Sequence, residues 1–273
     1  MVRPETVRRL AGELGIPLHM TTSADDLRRR ARQAVDDGVE RLAVAGGDGS
    51  FHIVAQELAG SDTALAPIVG GRGNDFATVV GVPREPEAAL RAAVEAPIRR
   101  VDCGRAGDVA YVVHCGVGFD SEAARWANEQ TIARGILSYP LSVLRTMLRF
   151  RPPHLRVEYE GGVFDGEAMF VVCANCWRFG GGMRIAPEAS IEDGMLDVVI
   201  ARRISMATIL MLFPRVYFGR HAGHRAITIA RTPWARISLD RPMEMYGDGE
   251  AMLWVGEEGV DVRVEVGGLK VVG

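Results

Sequence analysis

The stretch from Arg41 to Leu58 constrains the fold more than any other part of this 273-residue chain. Arg41-Leu-Ala-Val-Ala45 is a short apolar run of strand length, Gly46-Gly47-Asp48-Gly49-Ser50 reads as a turn, and Phe51 to Leu58 reads as a helix. A strand that passes through glycines directly into a helix is the building unit of an α/β fold, in which parallel strands are joined by helical crossovers. Glycines at such a turn let the backbone come within hydrogen-bond reach of an anion, and the helix N-terminus adds free N–H groups and a partial positive charge. A Walker loop is excluded, because it needs a lysine after its last glycine and the only lysine in the chain is Lys270. The dinucleotide fingerprint G-x-G-x-x-G is also absent from this turn.

Helical and strand-like patterns alternate around this unit. Glu5 to Leu14 has apolar residues at helical spacing, Ile16 to Met20 is strand-like, and Ala24 to Val35 is an amphipathic helix. Leu65 to Val69 follows as a strand, then a helix capped by Asn74 and Asp75, a break at Pro83 to Pro86, a helix over Glu87 to Glu95 and a strand over Arg99 to Cys103. This order predicts an α/β N-terminal domain over residues 1–100, a parallel sheet with helices on both sides and ligands at the carboxyl ends of its strands. From about residue 104 the pattern turns to short strands separated by Gly, Asp and Pro, at Tyr111 to Cys115, Leu155 to Glu160, Met169 to Ala174, Leu196 to Ala201, Ala226 to Ala230, Trp234 to Asp240 and Asp261 to Val266. Residues 101–266 are therefore expected to form a mainly antiparallel β domain with two helical insertions, and the site to lie in the cleft between the domains.

Composition narrows the function class. A net charge of −3 gives no overall nucleic-acid footprint, and no apolar run reaches the length of a bilayer span, so a cytoplasmic protein is expected. Cys103, Cys115, Cys173 and Cys176 do not make a disulfide framework in a chain of this length. Cys173-Ala-Asn-Cys176 lies in an apolar, strand-like run without a second Cys pair or a His pair, which favours a structural role over zinc or redox chemistry.

Three further segments accompany the Gly46 turn. They are Gly71-Arg72-Gly73-Asn74-Asp75-Phe76-Ala77, Gly180-Gly181-Gly182-Met183-Arg184-Ile185-Ala186-Pro187 running on to Glu192-Asp193-Gly194-Met195-Leu196-Asp197, and Asp248-Gly249-Glu250. Taken together from about residue 10 onward, the four resemble the diacylglycerol kinase catalytic-domain family, lipid kinases related to sphingosine and ceramide kinases. The resemblance implies a fold of the NAD kinase and diacylglycerol kinase type followed by a β-sandwich, with residues 267–273 returning to the first domain. It implies transfer of a phosphoryl group from ATP, with Mg²⁺, to the hydroxyl of a diacylglycerol-like or sphingoid-like lipid.

Such a transfer needs anchored phosphates, a divalent ion and a carboxylate to take the hydroxyl proton. By resemblance, Gly46, Gly47, Asp48, Gly49, Ser50, Phe51 and His52 line the nucleotide phosphates, with Thr21, Gly73, Asn74 and Asp75 also on the nucleotide site. Ser50 stands where the family commonly has threonine and keeps the hydroxyl. Arg72 replaces a small family residue, and its guanidinium either pairs with phosphate or faces solvent. Local sequence alone reads Glu250 as a hairpin acid, whereas the family match makes it the proton acceptor, with Asp248 assisting. Asp193, with the main-chain carbonyls of Ser190 and Met195, stands where the family holds a structural magnesium. The family's usual opening strand, ending in an Asn-Pro-x-Ser-Gly-like turn, has no counterpart among these residues. Two alternatives therefore stay open: a soluble-substrate kinase of the NAD kinase type, which shares the GGDG turn, and a catalytically impaired lipid-binding relative. Residues 130–157 and 198–239 contain arginines but no acid, and their apolar stretches either rest on an anionic membrane surface or cover the β domain. A peripheral membrane contact and a homodimer are both compatible with the reading.

Overall fold

The computed structural model describes residues 4–71, 73–119, 121–122 and 150–273. Arg72 and residues 130–149 of the first acid-free stretch lie outside the described residues. The N-terminal half opens with helices α1 (Pro4–Glu13) and α2 (Ala24–Asp36), the latter capped by Ser23, whose side chain accepts from the Asp26 N–H. Strand β1 (Arg41–Gly46) leads through Gly47 into helix α3 (Asp48–Leu58), and β2 (Ala64–Val69) lies parallel to β1 in the register Arg41↔Ala64 to Gly46↔Val69. Helices α4 (Asp75–Val80) and α5 (Pro86–Glu95) follow. Phe51, Val54 and Leu58 of α3 pack with Leu65, Phe76 and Val101 on one face, while Leu10, Ile68 and Leu90 cluster on the other, so helices cover both sides of the sheet.

Two expectations change here. Ile16 to Met20 forms no strand, because no chain pairs with it: β1 is the end of the strand order, and the 16–21 segment faces it across a cavity of about 660 Å³. An extended segment without a hydrogen-bonded neighbour has no ladder to join. Strand β3 (Ile98–Ala106) does not extend the parallel run either. It lies antiparallel to the last strand of the chain, β13 (Val260–Val272), and β13 is the one that runs parallel to β2 at Val271↔Leu65.

The remaining described strands are β4 (Val109–Tyr111), β5 (His114–Gly118), β6 (His154–Tyr159), β7 (Gly162–Ala174), β8 (Leu196–Arg202), β9 (Ile227–Thr232), β10 (Trp234–Leu239), β11 (Met243–Gly247) and β12 (Glu250–Val255), with helix α6 (Met206–Val216) between β8 and β9. Apart from β1–β2 and β2–β13, the ladders are antiparallel. The 13-residue β7 pairs with β6 through its first half and with β5 and β8 through its second, which carries it from one layer to the other. Between the layers sit Val117, Leu155, Val157, Val171, Ile200, Ile237 and Met245, all fully buried.

The two halves share strands. β3 runs unbroken across residues 100 and 101, and β13 across 266 and 267, with a register shift between Glu265 and Leu269 at Gly267, whose φ is +59°. The buried Asp102 carboxylate fastens this joint by accepting from the N–H groups of Gly267 (2.8 Å) and Gly194 (2.7 Å).

Candidate active site

The first two glycine segments lie against each other because their strands do. A Cβ added to Gly71 would come within 2.5 Å of the Gly47 Cα, and one on Gly70 within 3.2 Å of the Gly46 backbone. Glycine is therefore required at this junction by the close approach of two backbones, independently of any ligand. Gly47 stands at the N-cap of α3 and supplies no side-chain cap, so the helix N-terminus opens toward the junction. Ser50 folds back over Gly46, its Oγ 2.5 Å from where a Cβ there would sit, and Phe51 turns into the core.

Asn74 and Asp75 behave differently from the expected helix caps. Asn74 has φ +52° and no side-chain bond to the helix. Instead its Oδ1 accepts from the Gly71 N–H (2.9 Å) and its Nδ2 donates to the Gly71 carbonyl (2.8 Å), clamping the second glycine loop. Asp75 is buried and reaches across to the third segment, accepting from Arg178 Nε (2.6 Å) and from the Gly181 N–H (2.8 Å). Asp48 Oδ1 accepts from the Phe76 N–H (3.2 Å), which ties α3 to α4. Its other oxygen lies 2.7 Å from where a Gly73 Cβ would be. Burial first, and then the nearby Asp75 charge, push the Asp48 carboxyl above the usual carboxylate range.

The fourth segment meets the first. Asp248 (φ +53°) and Gly249 (φ +94°) form the two-residue turn between β11 and β12, and both take the positive φ that a type I′ hairpin demands. The Asp248 side chain is fully buried and accepts from the N–H groups of Val112 (2.9 Å), Val113 (2.8 Å) and His114 (3.0 Å) and from His52 Nδ1 (2.9 Å). With Nδ1 donating, neutral His52 accepts at Nε2 from Gln56 (2.7 Å); when the ring is protonated, the Gln56 amide must present its oxygen instead. Burial opposes both charges. Even so, the bond to Asp248 and its charge, with Glu250 nearby, hold His52 above its usual range, and His52 together with the backbone donors holds Asp248 below the usual carboxylate range. Glu250, next along the turn, is exposed, and its Oε1 sits 3.2 Å from where a Cβ on Gly49 would be. The late carboxylate thus lies against the first glycine loop.

Other candidates lie elsewhere. Thr21 is exposed and lines the cavity beside β1 together with Gly46 and Gly70. Asp193 lies in the turn before β8, where its Oδ1 accepts from the Met195 N–H (3.0 Å) and its Oδ2 is paired with Arg231; Ser190 accepts from the Glu192 N–H. Both Asp193 oxygens are thus engaged, and the Arg231 guanidinium lies against this turn. Among the described residues no three His, Cys, Asp or Glu side chains are gathered to hold a metal. All four cysteines are buried free thiols, and Cys176 donates to the Val112 carbonyl.

Sequence reasoning passed over two residues here. His114 packs at a tilt against Phe179 (4.2 Å between ring centroids), burial lowers its imidazole below the usual range, and its Nδ1 has no partner among the described residues. Arg178 is held at the glycine loops by Asp75. The only signal for Arg178 was a basic residue immediately ahead of the Phe179-Gly180-Gly181-Gly182 run.

Comparison with known proteins agrees with this arrangement. The family model described as the diacylglycerol kinase catalytic domain matches residues 3–106, and that described as the YegS C-terminal NAD kinase beta sandwich-like domain matches residues 113–273. A diacylglycerol kinase of Mycobacterium tuberculosis is 30% identical over 83% of this chain and 75% of its own length, and one of Bacillus subtilis 28% over 85% and 78%. A protein of Xanthomonas campestris named "Probable lipid kinase YegS-like" is 31% identical over 90% of this chain and 85% of its own. The crystal structure of a diacylglycerol kinase from Bacillus anthracis superposes with a TM-score of 0.74 at 19% identity, covering 98% of this chain and 90% of that one, which speaks to the fold. With its length spanned by the two family models and a 30% identical diacylglycerol kinase matching 83% of it, the chain belongs to the diacylglycerol kinase family of lipid kinases.

Proposed function

We propose that this chain is an ATP-dependent lipid kinase that passes the γ-phosphate to the hydroxyl of a diacylglycerol-like or sphingoid-like lipid. The observation that carries the reading is the seating of the Glu250 carboxylate against Gly49, at the open N-terminus of α3. Backbone N–H groups at that N-terminus anchor phosphate oxygens, while the abutting Gly70–Gly71 loop, whose own N–H groups are held by Gly46 and Asn74, leaves room for them to approach. Glu250, exposed and against the same loop, takes the proton of the attacking hydroxyl. Asp248 and His52 hold that carboxylate in place: their buried bond ties the Glu250 turn to α3. Asp48, at the N-terminus of α3 and bonded through Oδ1 to the Phe76 N–H, is the carboxylate placed to help hold the Mg²⁺ that would accompany ATP and neutralise charge on its phosphates.

Access to a lipid is supported by α6 and the residues after it. Leu210, Met211, Phe213, Tyr217 and Phe218 are exposed there, and Arg215, Arg220 and Arg225 pair with no described side chain. Exposed apolar groups among unpaired cations suit the headgroup layer of an anionic membrane. No helix among the described residues is long and apolar enough to cross one.

The test is transfer of radiolabel from ATP to diacylglycerol or sphingosine in anionic phospholipid vesicles, by wild type, Glu250→Gln and a Phe213→Ser/Phe218→Ser pair. Removal of the proton acceptor is expected to lower the rate about 10²- to 10⁴-fold without changing the melting temperature, because Glu250 is exposed. The paired variant should need more vesicle lipid to reach the same rate. Equal rates for wild type and Glu250→Gln would refute the assignment of the base, and labelling of NAD in place of lipid would refute the substrate class.

A further inference from the structure

A triphosphate with four negative charges needs a fixed cation, and in a chain with one lysine an arginine must supply it. That lysine, Lys270, is tied to Asp62 (2.8 Å) at the far end of β13. Arg178 is placed differently. Its Nε donates to Asp75, leaving a guanidinium that is one-fifth exposed, with Nη1 and Nη2 reaching no acceptor among the described residues. Those two nitrogens lie 4.0 and 3.5 Å from where a Cβ on Gly182 would be. The other Asp75 oxygen holds the Gly181 N–H, and the Gly181 nitrogen is in turn 3.8 Å from where a Cβ on Gly73 would be. One buried carboxylate thus pins an arginine and a glycine turn beside the loop that meets Asp48.

We propose that Arg178 is, among the described residues, a phosphate-binding cation of this site, its Nη1 and Nη2 pairing with oxygens of the nucleotide polyphosphate while Asp75 fixes its plane. The proposal rests on the phosphoryl-transfer reading above and adds the residue that discriminates polyphosphate from bare nucleoside. A guanidinium presents two parallel donors in a fixed fork and stays charged at every working pH, so a site without lysine loses nothing in charge and gains orientation. The carboxylate behind it stops it swinging away. It also removes part of the cost of ordering the side chain when phosphate arrives. Asp75 therefore acts as a positioning residue, and its strict engagement at both oxygens explains why it does not cap α4.

The experiment measures affinity for MgATP, MgADP and adenosine by calorimetry with wild type, Arg178→Gln and Arg178→Lys, after melting curves confirm that each is folded. For Arg178→Gln the expected result is a 10- to 100-fold loss of MgATP affinity, a smaller loss for MgADP and none for adenosine, in line with losing about one or two charge-assisted hydrogen bonds. Arg178→Lys, which keeps the charge and is the milder change should the glutamine variant not fold, is expected to lose less than Arg178→Gln. Equal losses for MgATP and adenosine would mean that Arg178 only supports the Gly180–Gly182 turn, and unchanged MgATP affinity in both variants would mean that it plays no part; either overturns the proposal. Wild type that binds no MgATP at all would instead overturn the kinase reading itself.

Discussion

The buried Asp248 carboxylate offers the sharpest quantitative test. It accepts four hydrogen bonds, three from the consecutive backbone N–H groups of Val112, Val113 and His114 and one from His52. Asp248→Ala leaves all four donors unpaired in a dry interior, and at about 1–1.5 kcal/mol for each the loss is about 4–6 kcal/mol, a large share of the stability of an ordinary protein. Asp248→Asn is milder. Its carbonyl oxygen can still accept from Val113 and His114, and His52 can adopt the other tautomer and accept from the new amide, so about one unpaired N–H, that of Val112, remains at about 1–3 kcal/mol. For a chain of this size about 2 °C of melting temperature corresponds to 1 kcal/mol, so the asparagine variant should melt about 2–6 °C low and the alanine variant about 8–12 °C low. Urea unfolding followed by tryptophan fluorescence checks the free energies directly. The pair also leaves a pH signature. His52 is raised in the folded state, so its contribution is complete below its unfolded value of about 6.5 and is lost as pH rises through the folded value. Asp248 is lowered, so its contribution is complete above about 3.9 and is lost as pH falls through the folded value. The stability gap between wild type and His52→Gln should therefore be widest between about pH 4 and 6.5 and narrow toward pH 9. Variants of Asp248 that melt within about 1 °C of wild type, or a gap that ignores pH, would refute this account.

Two further outcomes are expected. Gly71→Ala must push the second glycine loop off Gly47, since the new Cβ would lie 2.5 Å from the Gly47 Cα; it should cost about 1–3 kcal/mol in a urea melt and weaken MgATP binding, and a neutral result in both would show that the loops are not held in contact. Melting of the wild type in EDTA should match that in millimolar Mg²⁺ to within about 1 °C, because Arg231 already neutralises Asp193; a fall of several degrees in EDTA that Mg²⁺ restores would show that a metal belongs at this turn.

Local order in this chain was readable because it depends on neighbours in sequence. The β1–Gly47–α3 unit, the helical spacing of α2 and α5, and the Asp248-Gly249 hairpin each follow from periodicity and from the φ values that few residues other than glycine adopt easily. Pairing was not readable. That Ile16 to Met20 finds no partner, and that β3 turns antiparallel to β13, depends on which strands compete for the same edge, and hydrophobic pattern carries no address for a partner 160 residues away.

The same division holds at the site. Sequence alone determined its ingredients: three glycine segments, a late glutamate and the near-absence of lysine. Only the tertiary structure decided what each does, because burial and partners fix the chemistry of a carboxylate. Asp248 spends every lone pair on a buried joint, Asp75 on holding Arg178 and Gly181, and Asp193 on an arginine, while Glu250 is left exposed beside Gly49. Four acids that look alike in sequence thus separate into three anchors and one exposed carboxylate once the fold sets which donors reach them.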